Sequence, residues 1–143
     1  MKPSAPILLV EDSDDDAELT IRAFRRAGVR TPLVRVLDGQ AAFDYLVGRA
    51  SGEPPVAVLL DLNLPGMGGL ELLKAIEGRE SVRQVPVIVM TTSSDDEDRV
   101  AALARGAVSF VRKPVYFDQF VRAVKTLGLH WSASLAVFGT ADR

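Results

Sequence analysis

An α/β domain is the fold this sequence predicts: a three-layer sandwich on a five-stranded parallel sheet with five helices. Three observations predict it. Short, continuously apolar runs alternate with amphipathic segments along all but the last part of the chain. These runs lack the in–out alternation of a sheet wetted on one face, so helices must cover both of theirs. Polar and acidic residues gather where the runs end, which is where an open α/β sheet carries its site.

The elements follow in order. The first strand, Ile7–Val10, ends at Glu11 and Asp12. A helix then presents Ala17, Ile21, Phe24 and Gly28 on one face, with Asp14, Asp15 and Asp16 suited to its positive end. The second strand, Leu33–Leu37, is interrupted by Arg35 and reads as a more exposed one. A helix over about Gln40–Val47 and a Gly/Pro-bearing loop over Arg49–Pro55 lead to the third strand, Val56–Leu60, which ends at Asp61. Leu70, Leu73 and Ile76 share one face of the next helix. The fourth strand, Val87–Met90, follows Pro86, where a missing N–H is tolerated, and ends at Thr91. Ser94 with Glu97 reads as a capping box, opening a helix whose face carries Val100, Leu103 and Ala104. The fifth strand, Val108–Val111, ends near Lys113 and Pro114, and Phe117, Phe120, Val121, Val124 and Leu127 form the stripe of a fifth helix. Strict alternation implies right-handed crossovers.

Composition narrows the function. At 143 residues, 48% hydrophobic and 25% charged, the chain suits one globular domain over residues 1–127, with an apolar tail over 128–143. A second, output domain is not expected. There is no cysteine, hence no disulfide and no thiolate metal site. No apolar run approaches the roughly 20 residues of a membrane span, and no secretory leader is evident, so a cytoplasmic protein is expected. A net charge of −2 with scattered Arg and Lys argues against direct nucleic-acid binding.

Four separated segments should deliver Glu11, Asp12, Asp61, Asn63, Thr91 and Lys113 to one edge of the sheet. Two carboxylates about 4 Å apart repel by roughly 4 kcal/mol at an effective dielectric of 20. Either their pKa values rise or a cation sits among them. Carboxylate oxygens, a backbone carbonyl and waters suit Mg²⁺, whereas one distant histidine, His130, makes zinc or copper improbable. A carboxylate can also act as a nucleophile toward phosphorus, with Lys113 and Thr91 holding phosphoryl oxygens.

The residues Val10 to Asp12, Leu60 to Gly66, Met90 to Thr92 and Phe110 to Pro114 together resemble the response-regulator receiver domains of two-component signalling. The resemblance runs from Ile7 to Leu127. It implies a flavodoxin-like strand order, 2-1-3-4-5, and a switch rather than an enzyme turning over an external substrate. Asp61 would be the phosphoacceptor. Asp12 and Asp61 would bind Mg²⁺ through their carboxylates, Asn63 through its backbone carbonyl, and Glu11 through water. Lys113 would contact the phosphoryl group, its bond to Pro114 would be cis, and Thr91 with Phe110 would form the switch pair. The partners implied are a histidine kinase and a downstream protein or phosphotransfer partner.

Three positions depart from the commonest pattern. Glu11 and Gly68 each stand where Asp is frequent, and Thr92 stands where Ala or Gly is, which bears on water access to the site. Phe117 to Phe120 and Leu127 to Trp131 resemble the small receivers that accompany bacterial phytochrome-type kinases. The apolar tail, with Trp131, Leu135, Val137 and Phe138, suits packing on its own domain or a homodimer.

Rival functions are weaker. A metal-dependent phosphatase with an aspartyl-phosphate intermediate would want an acid at Asn63. A receiver-like scaffold that is never phosphorylated would be expected to have lost Asp61, Lys113 or an acidic partner. A flavodoxin would want a phosphate loop where the acids Glu11 and Asp12 stand.

Overall fold

The computed structural model describes residues 5–26, 31–49, 52–64, 66–92, 96–107, 109–113 and 118–119. Its strands are β1 (Ile7–Val10), β2 (Leu33–Val36), β3 (Ala57–Asp61), β4 (Val87–Thr91) and β5 (Ser109–Arg112). The helices are α1 (Asp14–Arg26), α2 (Gly39–Gly48), α3 (Gly69–Glu77) and α4 (Asp96–Ala104). The strands form one parallel sheet in the order β2-β1-β3-β4-β5, as expected. The winding direction reverses between β1 and β3, and an open α/β sheet carries its site beyond the carboxyl ends of the strands at such a switch point.

Burial explains why these runs are strands. Every residue of β1, β3 and β4 is buried, while β2, carrying Arg35, is half-buried throughout, which is the more exposed strand its sequence predicts. Alternate residues feed two separate cores. Leu8, Val10, Val58, Leu60, Val87 and Val89 pack with Ala42 and Leu46 of α2 and with Leu72, Leu73 and Ile76 of α3. Ile7, Leu9, Ala57, Leu59, Ile88 and Met90 pack on the other face with Ala17 and Phe24 of α1. Each fully buried leucine or isoleucine contributes roughly 1.5–3 kcal/mol relative to exposure. Two apolar layers against one sheet therefore hold the strand tips in place.

The helix ends are set locally. Asp14, Asp15 and Asp16 occupy the first turn of α1, as predicted, and Arg25 and Arg26 its last. The Asp38 carboxylate accepts a hydrogen bond from the Ala41 N–H at 2.8 Å and caps α2. Glu71 Oε1 accepts one from the Gly68 N–H at the start of α3. Gly69 opens α3 so close to β3 that an added Cβ would lie 2.7 Å from Leu62 Cα.

One helix face differs from its prediction. Val100 and Leu103 of α4 are 65% and 45% exposed, Ala104 is exposed, and Ala102 is the residue turned into the core. The periodicity of α4 is ambiguous because Ala101, Ala102 and Ala104 give little contrast between faces. The contrast in size favours Val100 and Leu103 as the inner stripe, but Ala102 is the α4 residue packed in the core. The proposed fifth helix, the tail, Gly28, Ser94 of the capping box and the Lys113–Pro114 bond lie outside the described residues. No helix among the described residues is long and apolar enough to cross a membrane.

Candidate functional site

Glu11 leaves β1 with its N–H donating to the Val36 carbonyl at 3.1 Å, an extension of the β1–β2 pairing. Its carbonyl accepts from Arg35 Nε at 2.9 Å, and Arg35 Nη1 reaches Asp14 Oδ1 at 2.8 Å. The arginine that breaks the apolar run of β2 thus ties down the acidic loop after β1. Glu11 is 0% exposed, and its Oε2 accepts from the Ser13 N–H at 3.2 Å. Asp12 is exposed at the rim.

Asp61 is the last residue of β3 and is 3% exposed. Its Oδ1 accepts from the Asn63 N–H at 3.0 Å, which fixes the carboxylate's rotation. Asn63 itself is exposed. Carboxylate oxygens of Glu11, Asp12 and Asp61 lie within 4.8 Å of one another. The three acids predicted to meet do meet.

Lys113 follows β5, and its N–H donates to the Thr91 carbonyl at 2.9 Å, continuing the β4–β5 pairing by one residue. Its ammonium stands 2.7 Å from Glu11 Oε1, 2.9 Å from Asp16 Oδ2 and 3.1 Å from Asp61 Oδ2. The Glu11 contact has ion-pair distance without hydrogen-bond alignment, whereas the other two are hydrogen bonds. Thr91 is buried at the end of β4. Phe110 lies half-buried against the core beneath α2 and α3, with the Arg99 guanidinium 4.1 Å from its ring centre. Val89 and Phe110 are register partners, so Thr91, two residues beyond Val89, shares the sheet face of Phe110.

Charge dominates the site. Burial pushes the Glu11 carboxyl up from its ordinary 4.5 to about 7; Lys113 and the Ser13 N–H pull it down, and the neighbouring Asp61 charge pushes it further up. Burial works against the Lys113 ammonium as well. Its contacts with the carboxylates of Glu11, Asp16 and Asp61 outweigh that and raise its pKa above the ordinary lysine value. Glu11, Asp16 and Asp61 contact one ammonium and Asp12 adjoins two of them, so the fully ionised cluster carries four negative charges against one positive. Crowded, all-oxygen donors with excess negative charge fit a hard divalent cation. The same arrangement sets a carboxylate beside an ammonium, with a hydroxyl-bearing strand end next to them. It can therefore offer a nucleophile together with cationic help for an incoming phosphoryl group.

Two residues here went unassigned from sequence. Sequence pattern assigns the acidic run after Asp12 to helix capping alone, yet Asp14 also pairs with Arg35 and Asp16 with Lys113. A usable signal was present for each. Asp16 lies one helical turn past Asp12, and Arg35 is a charge in an otherwise apolar strand beside that loop.

The family model described as "Response regulator receiver domain" matches residues 7–125. A relative in Methanothrix harundinacea, named "Probable methanogenesis regulatory protein FilR2", is 40% identical over 127 residues, covering 87% of this chain and 82% of its own length. "Response regulator Rcp1" of Synechocystis is 31% identical over 132 residues, 90% of each chain. The solved structure of the "bacteriophytochrome response regulator AtBRR" superposes with a TM-score of 0.79 at 39% identity, over 89% of this chain and 94% of that one. The Mn²⁺-bound form of Rcp1 gives a TM-score of 0.69 at 31% identity, over 83% and 88%.

Proposed function

This chain belongs to the response regulator receiver family, and from that premise we propose that Asp61 accepts a phosphoryl group from a histidine kinase with the help of Mg²⁺. Receiver domains of this family are phosphoacceptor signalling domains, and the chain is homologous to phytochrome-associated response regulators. The observation that carries the assignment to Asp61 is its place among the acids. It alone both joins the three-carboxylate group and accepts hydrogen bonds from Lys113 and the Asn63 N–H.

An Asp61 carboxylate oxygen forms the new bond to phosphorus while the phosphorus–nitrogen bond of a phosphohistidine breaks. The leaving imidazole keeps the electron pair and takes up a proton. Asp12, Asp61 and the Asn63 carbonyl would hold Mg²⁺, with Glu11 acting through water. When bound, the ion neutralises charge on the phosphoryl oxygens. Lys113 stabilises one phosphoryl oxygen, and the Thr91 hydroxyl turns to donate to another. Phe110, on the same sheet face, follows inward. Shifting such an equilibrium from 1:99 to 99:1 requires about 5.5 kcal/mol of differential interaction. A few charge-assisted hydrogen bonds, each about 1.5–3 kcal/mol, reach that total.

The divalent preference is supported by the hard oxygen donors and by the Mn²⁺-bound form of the related Rcp1. A phytochrome-type kinase as phosphodonor is supported by the likeness to AtBRR and Rcp1. Cytoplasmic placement is part of the same proposal. For residues 128–143 the reading is an apolar tail that packs on its own domain or covers a second copy. A phosphatase of external esters remains disfavoured by Asn63, which cannot shuttle a proton as an acid would.

Incubation with acetyl phosphate and Mg²⁺, followed by intact-mass measurement, tests the core of this. The wild type gains one phosphoryl group, and EDTA or Asp61→Asn prevents it. A gain of equal size in Asp61→Asn removes the proposal. Sizing chromatography of the same samples tests the homodimer.

A further inference from the structure

Lys113 makes three contacts to carboxylates, and only two belong to the metal-ligand group. Glu11 and Asp61 are shared with Asp12 as prospective cation donors; Asp16 is not. A divalent ion seated among Glu11, Asp12 and Asp61 repels the Lys113 ammonium and takes up the charge that now attracts it. Phosphorylation then converts the Asp61 oxygen facing Lys113 into part of an acyl phosphate. Asp16 is the one counter-charge that both events leave in place.

Asp16 is also well held. Its N–H donates to Ser13 Oγ at 3.2 Å, and its carbonyl accepts from the buried Thr20 hydroxyl at 3.1 Å, so its backbone is fixed in the first turn of α1. Its side chain is 39% exposed, against 0% for Glu11 and 5% for Asp61, so it meets the ammonium from the rim of the site rather than from its floor. A cavity of about 120 Å³ lined by Asp16, Leu19, Thr20, Thr92 and Lys113 lies beside the ammonium. Lysine is a flexible point charge, and this space lets it swing away from Asp61. Asp16 borders the cavity and restrains that swing.

We propose that Asp16 is a positioning residue for phosphoryl transfer: its carboxylate keeps the Lys113 ammonium at the mouth of the site while cation and phosphoryl group occupy the other acids. This rests on Asp61 being the phosphoacceptor. The Asp61→Asn mass experiment fails if that premise is wrong, whereas the measurements below vary Asp16 with Asp61 intact.

The test compares Asp16→Asn, Asp16→Glu, Lys113→Ala and the Asp16→Asn/Lys113→Ala double variant in acetyl phosphate labelling at saturating Mg²⁺. Asp16→Asn lowers the labelling rate by about tenfold, the scale of one partly screened charge-assisted hydrogen bond. Asp16→Glu restores part of the rate. The double variant is no slower than Lys113→Ala alone, because Asp16 acts only through that ammonium. Asp15→Asn, which removes the same charge from the same turn, labels at the wild-type rate. A second readout needs neither metal nor phosphodonor: the Lys113 ammonium NMR signal, assigned by its loss in Lys113→Arg, exchanges faster with solvent in Asp16→Asn. Wild-type labelling by Asp16→Asn, a further loss in the Lys113→Ala background, an equal loss in Asp15→Asn, or unchanged ammonium exchange would each overturn the proposal.

Discussion

Lys113 Nζ donates to Asp61 Oδ2 at 3.1 Å across 52 positions of sequence. The contact depends on two backbone pairings, Leu62 N–H to the Met90 carbonyl and Lys113 N–H to the Thr91 carbonyl. Each extends a parallel ladder just past its strand. Ladder register sets the height of both side chains above the sheet edge, and the shared α1 face sets their direction.

That ammonium is the counter-charge of a buried acidic group, so its removal destabilises the metal-free protein. Lys113→Ala is expected to lose about 3 kcal/mol in urea unfolding at pH 8 with EDTA, the scale of an uncompensated buried charge. Asp61→Asn moves the other way, gaining about 1 kcal/mol by relieving carboxylate repulsion. Equal signs for the two variants would contradict this electrostatic account.

In the proposed cation site, Glu11 would link metal binding to pH. Its folded pKa of about 7 lies above the ordinary 4.5, so between those values the native state carries a proton that the unfolded chain lacks. The stability this group contributes is fully present below pH 4.5 and is lost as pH rises through about 7. If the proposed Mg²⁺ site draws on the ionised carboxylate, affinity is expected to climb as pH rises toward 7 and flatten above it. Below 7 it falls by up to about tenfold per pH unit. Calorimetry at pH 6 in buffers of different ionisation enthalpy should show close to one proton released per ion, and almost none at pH 8. Equal proton release at both values counts against it.

Arg35 holds the acidic loop by its backbone as well as its charge. Arg35→Ala removes the bond to the Glu11 carbonyl and the pair with Asp14. Mg²⁺ affinity should weaken by about fivefold to tenfold, the scale of one hydrogen bond of about 1 kcal/mol. Arg35→Lys should restore little, since a lysine cannot reproduce the forked geometry. Titration of both variants with Mg²⁺ decides it.

Gly69→Ala places a Cβ 2.7 Å from Leu62 Cα and 3.0 Å from the Asp61 carbonyl oxygen. These are backbone atoms and cannot rotate aside, so α3 must lift from β3. The expected cost is about 2 kcal/mol in urea unfolding, with weaker Mg²⁺ binding because the Asp61 to Asn63 turn shifts. Gly52→Ala meets nothing within 4 Å and is the control. Indistinguishable stabilities for the two variants would rule this out.

Much of the fold was legible along the chain. Apolar runs marked all five strands, the half-polar run of β2 marked a more exposed one, and Glu11, Asp12, Asp61 and Lys113 were recognisable as residues at strand ends. The inner face of α4 was not, because its alanines blur the contrast on which periodicity depends.

From sequence alone came the architecture and the chemical types at the sheet edge, since both follow from the period of side chains within one element and from where apolar runs stop. Which of three adjacent aspartates reaches Lys113 was decided only by tertiary structure. Asp14 turns to Arg35 and Asp16 to an ammonium 97 residues away. The rotation of α1 on the sheet selects between them, and that rotation is set by Ala17 and Phe24 packing against strands from the rest of the chain. Periodicity says which residues share a face, while packing between elements says what that face meets.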